Sequence, residues 1–569
     1  MSAKLDPAYR AAGLRALAET EFDVVVVGGG VVGAGAALDA ASRGLSVALV
    51  EARDWAAGTS SRSSKLIHGG LRYLEQRDFG LVREALKERS LLLHRLAPHL
   101  VRPVPFLYPL THRVWERAYV GAGVALYDSI GGARALPMHR HLSRRAALQM
   151  APALRPDALT GAVRYYDAQV DDARLTMMVA RTAAQHGATV LTHVAATEVL
   201  RDGGELTGVR VRDLLSGGEQ VVRAKRVISA AGVWTDEVRG LDHAKPPFHV
   251  RMSKGVHLLV PRERVRLDVG LITRTEKSVL FVIPWDRHWI IGTTDTPWDH
   301  GADHPAATRA DVEYLLEHVN SVLREPLTAD DVVGVYAGLR PLLDGGADDT
   351  TKLSREHAVA EPAPGLFLVA GGKYTTYRVM AADVVDAAVK GLGQAVPKSL
   401  TKHLPIHGAV GFRELWSDRE RLSANAGLPV TVVERLLGRY GSAVTELLTM
   451  IDRDPRLAEP LSDAGEYLAV EAVYAVTHEG ALDLDDVLSR RTRIAIEYPD
   501  RGLAVAARVA DLVAEHIGWD DLARETAISD YLELAQAELA ALQAPDDASA
   551  FAQSAQSPHS AQSAGAAAG

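Results

Sequence analysis

The chain has 569 residues, a net charge of −9, 47% hydrophobic residues and no cysteine. This length allows two or more hydrophobic cores, and the acidic balance argues against a general nucleic-acid binder, whose binding domain would be basic. The absence of cysteine excludes disulfides, cysteine-ligated iron–sulfur clusters, redox dithiols and cysteinyl links to a flavin.

Two features bear on the cellular location of the protein. Residues 1–21 carry scattered charges and lack the apolar core of a secretory signal. The longest uncharged apolar run, residues 118–127, is too short to span a bilayer. The sequence therefore predicts a cytoplasmic or a peripheral membrane protein.

A helical arm over residues 1–20 is followed by a predicted dinucleotide-binding unit over residues 22–54. The unit reads strand, glycine turn, helix, strand, with Gly28, Gly30 and Gly33 in the spacing G-x-G-x-x-G. These glycines permit a tight turn and close approach of a pyrophosphate to the helix N-terminus. Glu51 ends the second strand, where its carboxylate can bind a ribose 2′-OH and disfavours NADP. The motif alone leaves FAD and NAD open.

Two stretches follow the dinucleotide unit. Residues 58–75 are dense in hydroxyls, glycine and basic residues, a composition that suits phosphate and flavin-edge contacts and also a solvated loop. Residues 79–100 form a predicted amphipathic helix that ends before Pro103. For residues 115–127, a core helix is favoured over an interfacial membrane segment.

The remaining elements alternate helices and strands before a helical C-terminal region. They are a helix at 172–185, a strand from Thr189, a hairpin at 209–223, a buried strand at 226–234, an antiparallel sheet within 249–300, a strand at 366–370 and a helix at 375–390. The predicted fold class is α/β, with an inserted antiparallel-sheet substrate domain and a C-terminal helical domain. The boundaries are an arm at 1–20, the cofactor domain at 21–100, 166–245 and 331–395, the substrate domain at 101–165 and 246–330, the helical domain at 400–540 and a disordered tail at 544–569.

A set of motifs in chain order resembles the FAD-dependent glycerol-3-phosphate dehydrogenases. The motifs are GGGVVGAG, TSSRSSKLIHGGLRYLE, AAGVW, FVIPW followed by IGTTD, GLRPL, GGKYTTYR and DDVLSRRTR, and they extend from about residue 21 to about residue 535. The resemblance implies a Rossmann-like FAD-binding domain of the glutathione-reductase type, noncovalent FAD, and oxidation of sn-glycerol 3-phosphate to dihydroxyacetone phosphate. It further implies electron delivery to a membrane quinone from the inner face of the cell membrane, and it leaves a homodimer open.

The glycine turns and the resemblance together assign the following residues to the cofactor, with no metal site. The predicted cofactor residues are Gly28, Gly30, Gly33, Glu51, Thr59, Ser60, Ser61, Ser64, Lys65, Leu66, His68, Gly69, Gly70, Ala231, Gly232, Trp234, Gly372, Lys373, Thr375 and Thr376.

Oxidation of a secondary alcohol needs a hydride acceptor, which flavin N5 provides, a base for the hydroxyl proton and a grip on the phosphate. His257 is the predicted base because histidine titrates near neutral pH, and Lys373 is the competing base. The predicted substrate contacts are the charged Arg72, Arg340, Arg355 and Lys373, with Tyr73 and Thr294 as neutral donors. Some relatives carry arginine before FVIPW where this chain has Lys277–Ser278, and lysine would bind a phosphate only as a point charge.

Several alternative functions share parts of this pattern. A glycerol-3-phosphate oxidase would have the same fold and pass electrons to O2, forming hydrogen peroxide. The catalytic subunit of the three-subunit anaerobic dehydrogenases is disfavoured by the absence of cysteine. A flavin-binding nucleic-acid modification factor would require a basic face and usually a catalytic cysteine. A non-catalytic flavoprotein would leave His257 and the basic substrate contacts unexplained.

Overall fold

The computed structural model describes residues 4–70, 78–112, 115–131, 136–238, 242, 248–274, 279–344, 356–462, 465 and 467–554. Four predicted site positions, Arg72, Tyr73, Lys277 and Arg355, lie outside these ranges, as does Ser278. Within these ranges, no helix combines the length and apolar character needed to cross a membrane.

The strands and helices are distributed along the whole described chain. The strands are β1 (Glu21–Val27), β2 (Val47–Val50), β3 (Leu66–Ile67), β4 (Arg102–Leu110), β5 (Arg140–Ser143), β6 (Gly161–Gln169), β7 (Thr189–Leu191), β8 (Val194–Asp202), β9 (Glu205–Asp213), β10 (Glu219–Ser229), β11 (Val250–Pro261), β12 (Gly270–Arg274), β13 (Val279–Trp285), β14 (His288–Gly292), β15 (Thr296–Trp298), β16 (Gly334–Leu343), β17 (His357–Ala363) and β18 (Leu366–Gly371). The helices are α1 (Pro7–Glu19), α2 (Val31–Ser42), α3 (Phe79–Leu91), α4 (Trp115–Gly131), α5 (Arg144–Met150), α6 (Asp172–Gln185), α7 (Arg309–Asn320), α8 (Tyr377–Ala388), α9 (Phe412–Ser417), α10 (Arg419–Ala426), α11 (Val430–Tyr440), α12 (Val444–Arg453), α13 (Ala469–Glu479), α14 (Ile494–Glu497), α15 (Leu503–Ile517), α16 (Asp521–Ala541) and α17 (Asp547–Ser554).

The first sheet carries the dinucleotide unit. Strands β18, β10, β1, β2 and β7 run parallel in that order, with β17 antiparallel at one edge and the β8–β9 hairpin paired to β10. Val24 and Val26 pack into the core shared with α2, α6 and α8, while Val25 faces the opposite core, as the pleat of a strand requires. The hairpin predicted at 209–223 is formed by β9 and β10, and its second arm continues into the predicted buried strand as one strand, β10, which lies between β9 and β1.

The second sheet confirms the antiparallel sheet predicted within residues 249–300. Its order is β15-β11-β14-β13-β12-β4-β6-β3, with β16 paired to β11 and β5 paired to β6. Two predicted boundaries are wrong. The strand β16, placed in the cofactor domain by the boundary at 331, pairs with β11 from Gly334 to Leu343, and β6 runs past 165 to Gln169. Strands pair with whichever strand edge is open in the folded protein, and the order of segments in the sequence does not show which edge that is.

The helical character predicted for residues 400–540 is confirmed, but the disordered tail predicted from Ala544 is wrong up to Ser554. Residues Asp547–Ser554 form α17, whose Phe551 ring lies 6.2 Å from the Trp298 ring, and whose Asp547 pairs with the buried Lys254. The prediction rested on the Ala- and Ser-rich composition of this segment and overlooked the contacts that Phe551 and Asp547 make. Residues 555–569 lie outside the described ranges.

Buried ion pairs join the helical region to the cofactor domain. Arg174 of α6 donates to both carboxylate oxygens of Glu479 at 2.8 and 3.1 Å. Asp54, which follows β2, accepts hydrogen bonds from both Arg490 and Arg491 of the DDVLSRRTR motif. The motif therefore fixes the helical region against the loop that follows the dinucleotide unit.

Candidate active site

The glycine turn at the carboxyl end of β1 has the geometry of a pyrophosphate cradle. Gly28 has φ +107°, and a Cβ atom there would lie 2.7 Å from the Ala230 carbonyl oxygen. A Cβ atom on Gly33 would lie 1.9 Å from the Gly28 carbonyl oxygen, so neither position accepts a side chain. Helix α2 begins after Gly30 without a capping side chain, and the Val31 N–H donates to Ser60 Oγ at 3.0 Å. A helix N-terminus beside a hydroxyl fits a pyrophosphate.

Glu51 lies beside this turn, at the end of β2. Its carboxylate accepts hydrogen bonds from the backbone N–H groups of Gly29 at 2.5 Å and Arg53 at 2.7 Å. The Arg53 guanidinium lies over the Trp234 ring at 4.5 Å, and Trp234 Nε1 donates to Asp303 at 3.1 Å. The predicted cofactor residues Glu51 and Trp234 are thus brought to the same end of the sheet, and their arrangement fits a nucleotide.

The other predicted cofactor segments meet at a second glycine turn. Gly371 and Gly372 have φ +75° and +76°, conformations that favour glycine. The hydroxyl of Thr375 accepts from the His68 N–H at 3.2 Å and donates to the His68 carbonyl at 3.3 Å. The loop around His68–Gly70 therefore lies against the start of α8. Three predicted cofactor hydroxyls donate to backbone carbonyls: Thr59 to Leu339, Ser61 to Gly58, and Thr376 to Lys373.

Lys65, a predicted cofactor residue, has hydrogen-bond partners within the protein. Its buried ammonium group donates to Asp172 Oδ1 at 2.8 Å and to the Ser61 carbonyl at 3.0 Å. Burial and the nearby charge of Arg493 lower the pKa of Lys65 to about 8, and the charge of Asp172 only partly offsets this shift. These internal partners favour a structural role for the ammonium group.

The predicted base and phosphate ligand lie on one face of the second sheet. His257, Gly255 and Ser253 of β11 are opposite Tyr336, Gly338 and Arg340 of β16 in the antiparallel register. Directly opposed residues point to the same face of a sheet. Gly255 and Gly338 therefore place no side chains on this face between His257 and Arg340, a stretch that we call the glycine trough. The Arg340 guanidinium lies over Gly255, and Arg62 lies over Gly338.

The His257 ring is held on both faces. The Tyr336 ring stacks on it with centroids 4.8 Å apart, and a Cβ atom on Gly292 would lie 2.3 Å from His257 Cδ2. Nε2 lies 2.8 Å from Ser64 Oγ, while the buried Nδ1 has no hydrogen-bond partner among the residues that the structure describes. Burial, reinforced by the charges of Arg340 and Lys65, holds the pKa of His257 well below its ordinary value of 6.5. The ring is thus a neutral imidazole, which differs from the near-neutral titration expected from the sequence.

Arg340 is oriented by groups from the segment after β14. Its NH2 group donates to Thr293 Oγ1 at 3.0 Å and to the Thr294 carbonyl at 3.1 Å, and NH1 lies 3.3 Å from Asp295 Oδ1. The Thr294 hydroxyl instead accepts from the Val256 N–H at 2.9 Å. The hydroxyl that faces Arg340 is therefore that of Thr293, which sequence reasoning missed because a threonine pair does not reveal which member points to the site.

Lys373 follows a strand of the first sheet, whereas His257 and Arg340 lie on strands of the second. It immediately follows the Gly371–Gly372 turn of the first sheet. Burial raises the pKa of Glu84, and the nearby charge of Lys373 partly offsets that rise. The structure thus groups Lys373 with the cofactor segments, while His257 and Arg340 share the glycine trough.

A histidine–carboxylate group lies outside the trough, where the ligand atoms of His193, Asp483 and Asp486 fall within 4.8 Å of one another. Arg490 already donates to Asp486 Oδ1 at 2.7 Å. Although burial opposes it, the Asp486 carboxylate raises the pKa of His193. Cationic side chains therefore neutralise these carboxylates.

Comparisons with known proteins agree with this architecture. Residues 23–382 match the family of FAD-dependent oxidoreductases, and residues 399–524 match the C-terminal domain of alpha-glycerophosphate oxidase. The chain is 55% identical over 549 residues to glycerol-3-phosphate dehydrogenase 2 of Mycobacterium bovis, covering 96% of this chain and 94% of that protein. It is 37% identical over 545 residues to the mitochondrial glycerol-3-phosphate dehydrogenase of Bos taurus, covering 91% and 74% of the two chains.

A solved structure extends the match to three dimensions. The glycerol-3-phosphate dehydrogenase of Bacillus halodurans, complexed with FAD, has a TM-score of 0.77 and 30% identity, covering 93% of this chain and 97% of that one. The α/β fold with a C-terminal helical domain is thereby confirmed, and FAD is the cofactor that the glycine cradle accommodates. The chain therefore belongs to the family of FAD-dependent glycerol-3-phosphate dehydrogenases.

Proposed function

We propose that the protein oxidises sn-glycerol 3-phosphate to dihydroxyacetone phosphate and passes the electrons to a membrane quinone. The glycine trough carries this proposal because it sets a neutral imidazole and a guanidinium at its two ends. Gly255, which the Arg340 side chain crosses, is two residues from His257, or about 7 Å along the strand. That span suits a short alcohol with a phosphate at its far end.

The residues of the trough divide the work between them. Neutral His257 accepts the proton of the substrate hydroxyl, and Arg340 binds the phosphate through charge-assisted hydrogen bonds worth roughly 1.5–3 kcal/mol each. Asp295 and Thr293 hold the guanidinium in place before the substrate arrives. When bound, FAD supplies the hydride acceptor.

The cofactor is tested first. Purified protein should be yellow and release FAD on denaturation, and Glu51→Ala should retain FAD more weakly without a change in substrate preference. Retention of NAD instead, or failure of the apoprotein to take up FAD, would contradict the assignment.

Reduction and reoxidation then test substrate and electron acceptor separately. Glycerol 3-phosphate should reduce the flavin anaerobically much faster than glycerol does. A quinone analogue should reoxidise it faster than oxygen, and rapid oxygen consumption with hydrogen peroxide formation would instead identify an oxidase.

The identity of the base is decided by stopped-flow reduction of His257→Ala and Lys373→Ala. Collapse of flavin reduction in the histidine variant is expected, because His257 shares the trough with Arg340. Near-normal reduction there, with collapse in Lys373→Ala, would transfer the base role to the lysine.

Membrane attachment is part of the same proposal, and α4 is the surface that supports it. The Trp115 and Tyr119 side chains are 57% and 53% exposed, and Leu126 is also exposed on the same face. Val124 and Tyr127 are fully buried on the opposite face. The helix thus presents an outward aromatic stripe of the kind that inserts into a lipid interface.

Basic residues border this stripe. Strand β5 lies against α4, since a Cβ atom on Gly121 would meet the His141 ring at 2.6 Å, and Arg140, Arg144 and Arg145 are exposed there. The acidic Glu116 of α4 is buried and accepts hydrogen bonds from the His112 N–H and its neighbour. An exposed apolar face with a cationic border suits anionic lipid.

Vesicle sedimentation tests this surface. The holoenzyme should bind vesicles containing phosphatidylglycerol and dissociate as salt rises, with weaker binding to phosphatidylcholine alone. A Trp115→Ser/Tyr119→Ser variant should lose binding, whereas Leu522→Ser, at a 73% exposed position on α16, should retain it. Equal binding of both variants would remove α4 as the docking surface.

A further inference from the structure

We infer that Ser64 is a positioning residue for His257: it accepts a hydrogen bond from Nε2–H and so leaves the Nδ1 lone pair to receive the substrate proton. The inference rests on the proposed role of His257 as the base. It assigns Ser64 a task different from the cofactor contact predicted from sequence. The observation that carries it is the 2.8 Å separation of Ser64 Oγ and His257 Nε2 beside a buried Nδ1 that has no partner among the described residues.

The ring itself has little freedom to choose another arrangement. Tyr336 stacks on one face and the Gly292 backbone closes the other, where even a methyl group would clash with Cδ2 at 2.3 Å. The remaining variable is which nitrogen carries the proton. Because a neutral imidazole has one donor and one acceptor, the partner of Nε2 decides whether Nδ1 can act as a base.

The segment that carries Ser64 is gripped on both sides by one buried carboxylate. Asp172 Oδ2 accepts from the Ser63 N–H at 3.0 Å and from the Ser63 hydroxyl at 2.7 Å. Its Oδ1 accepts from Lys65 Nζ at 2.8 Å. Lys65 has φ +56°, an uncommon conformation for a residue with a side chain, which persists only where surrounding contacts determine it.

Two further contacts link this grip to the rest of the site. Arg493 of the helical region donates to Asp172 Oδ1 at 2.6 Å, so a residue of the DDVLSRRTR motif completes the cluster. Tyr336, which stacks on His257, donates its hydroxyl to the Ser63 carbonyl at 2.9 Å. Ser64 and the imidazole are therefore held in one frame, and the hydroxyl has a fixed position relative to Nε2.

The direction of the hydrogen bond can be measured directly by ¹⁵N NMR of the holoenzyme labelled at histidine, with His257 assigned by the loss of its signals in His257→Gln. Wild type should show a protonated Nε2 and a bare Nδ1, with the Nε2 proton shifted downfield by its hydrogen bond. In Ser64→Ala this proton should move upfield, and Ser64→Thr should restore it.

Kinetics of the same variants supply the second measurement. Ser64→Ala should slow flavin reduction by glycerol 3-phosphate about tenfold, equivalent to about 1.4 kcal/mol, with KM and FAD retention within about twofold of wild type. Ser64→Thr should recover most of the rate. Ser321→Ala, which removes an exposed hydroxyl that donates to the His318 carbonyl, is the matched control.

Distinct outcomes overturn the inference without touching the proposed function. A protonated Nδ1 in wild type would reverse the hydrogen bond, and an unchanged reduction rate in Ser64→Ala would make the contact irrelevant to the base. Loss of FAD from Ser64→Ala would restore the cofactor role. Failure of wild type to be reduced by glycerol 3-phosphate would instead refute the proposed function. Asp172→Asn tests whether the hydrogen bonds of Asp172 to Ser63 and Lys65 position Ser64. If that variant does not fold, the comparison of Ser64→Ala with Ser64→Thr still tests the inference.

Discussion

Replacing Gly255 with alanine is expected to damage substrate binding while sparing the fold. The added Cβ atom would lie 2.5 Å from Arg340 NH2 and 2.8 Å from Thr293 Oγ1. Because nonbonded carbon contacts need about 3.5 Å, the guanidinium has to retreat by about 1 Å. Its hydrogen bonds to Thr293 and to the Thr294 carbonyl, at 3.0 and 3.1 Å, are then lost or stretched.

A misplacement of about 1 Å can lower catalytic efficiency by about 10²-fold. We expect a loss of roughly that size in kcat/KM for glycerol 3-phosphate, mainly through KM, because Arg340 binds the phosphate and does not take the proton. The measurement is steady-state reduction of an artificial acceptor at varied substrate. Gly255 adopts a backbone conformation open to alanine, so FAD content and the melting temperature should change little.

The control is Gly438→Ala in α11, where an added Cβ atom meets nothing within 4 Å. Alanine is the better helix former by up to about 1 kcal/mol, so this variant should be slightly more stable and fully active. If Gly255→Ala keeps normal kinetics, the trough is not where the substrate lies. If kcat alone falls, Arg340 is not the phosphate ligand.

Three further predictions concern ionisable side chains of the site and the core. Arg340→Ala should raise KM for glycerol 3-phosphate by about 10-fold or more, from the loss of roughly 1.5–3 kcal/mol of charge-assisted bonding, and affect glycerol far less; equal effects on both would contradict phosphate binding. The folded chain resists protonation of His257 whereas the unfolded chain takes up that proton below pH 6.5, so the contribution of His257 to the free energy of unfolding should fall as pH drops below that value and stay constant above it; urea titrations should show a smaller slope below pH 6.5 in His257→Gln than in wild type. Asp54→Asn leaves the buried Arg491 without its carboxylate and should cost about 3–5 kcal/mol in the same titrations, whereas Arg508→Ala, from an exposed pair, should cost about 1 kcal/mol or less.

The cofactor cradle could be predicted because its requirements are local. Gly28 needs a positive φ, and Gly33 approaches the carbonyl of Gly28, five residues earlier, so both requirements are visible within one short stretch of sequence. The acidic end of β2 and the amphipathic helices of residues 400–540 follow from short-range periodicity in the same way. His257 and Arg340 were found through motif resemblance, and the glycines beside them explain why the two can face each other.

What the sequence by itself determined is therefore the cofactor unit, the helical region and the identity of the charged residues. Tertiary structure alone decided that β16 joins β11, that Thr293 rather than Thr294 faces Arg340, and that residues 547–554 form a packed helix. It also decided the setting of the base, since Ser64 and His257 are 193 residues apart in sequence. A buried charge or an open strand edge pairs with whichever segment lies next to it in the folded protein. Such a partner is distant in the sequence and therefore does not show in local sequence patterns. For the same reason, the sequence does not reveal that Lys65 pairs with Asp172, 107 residues away.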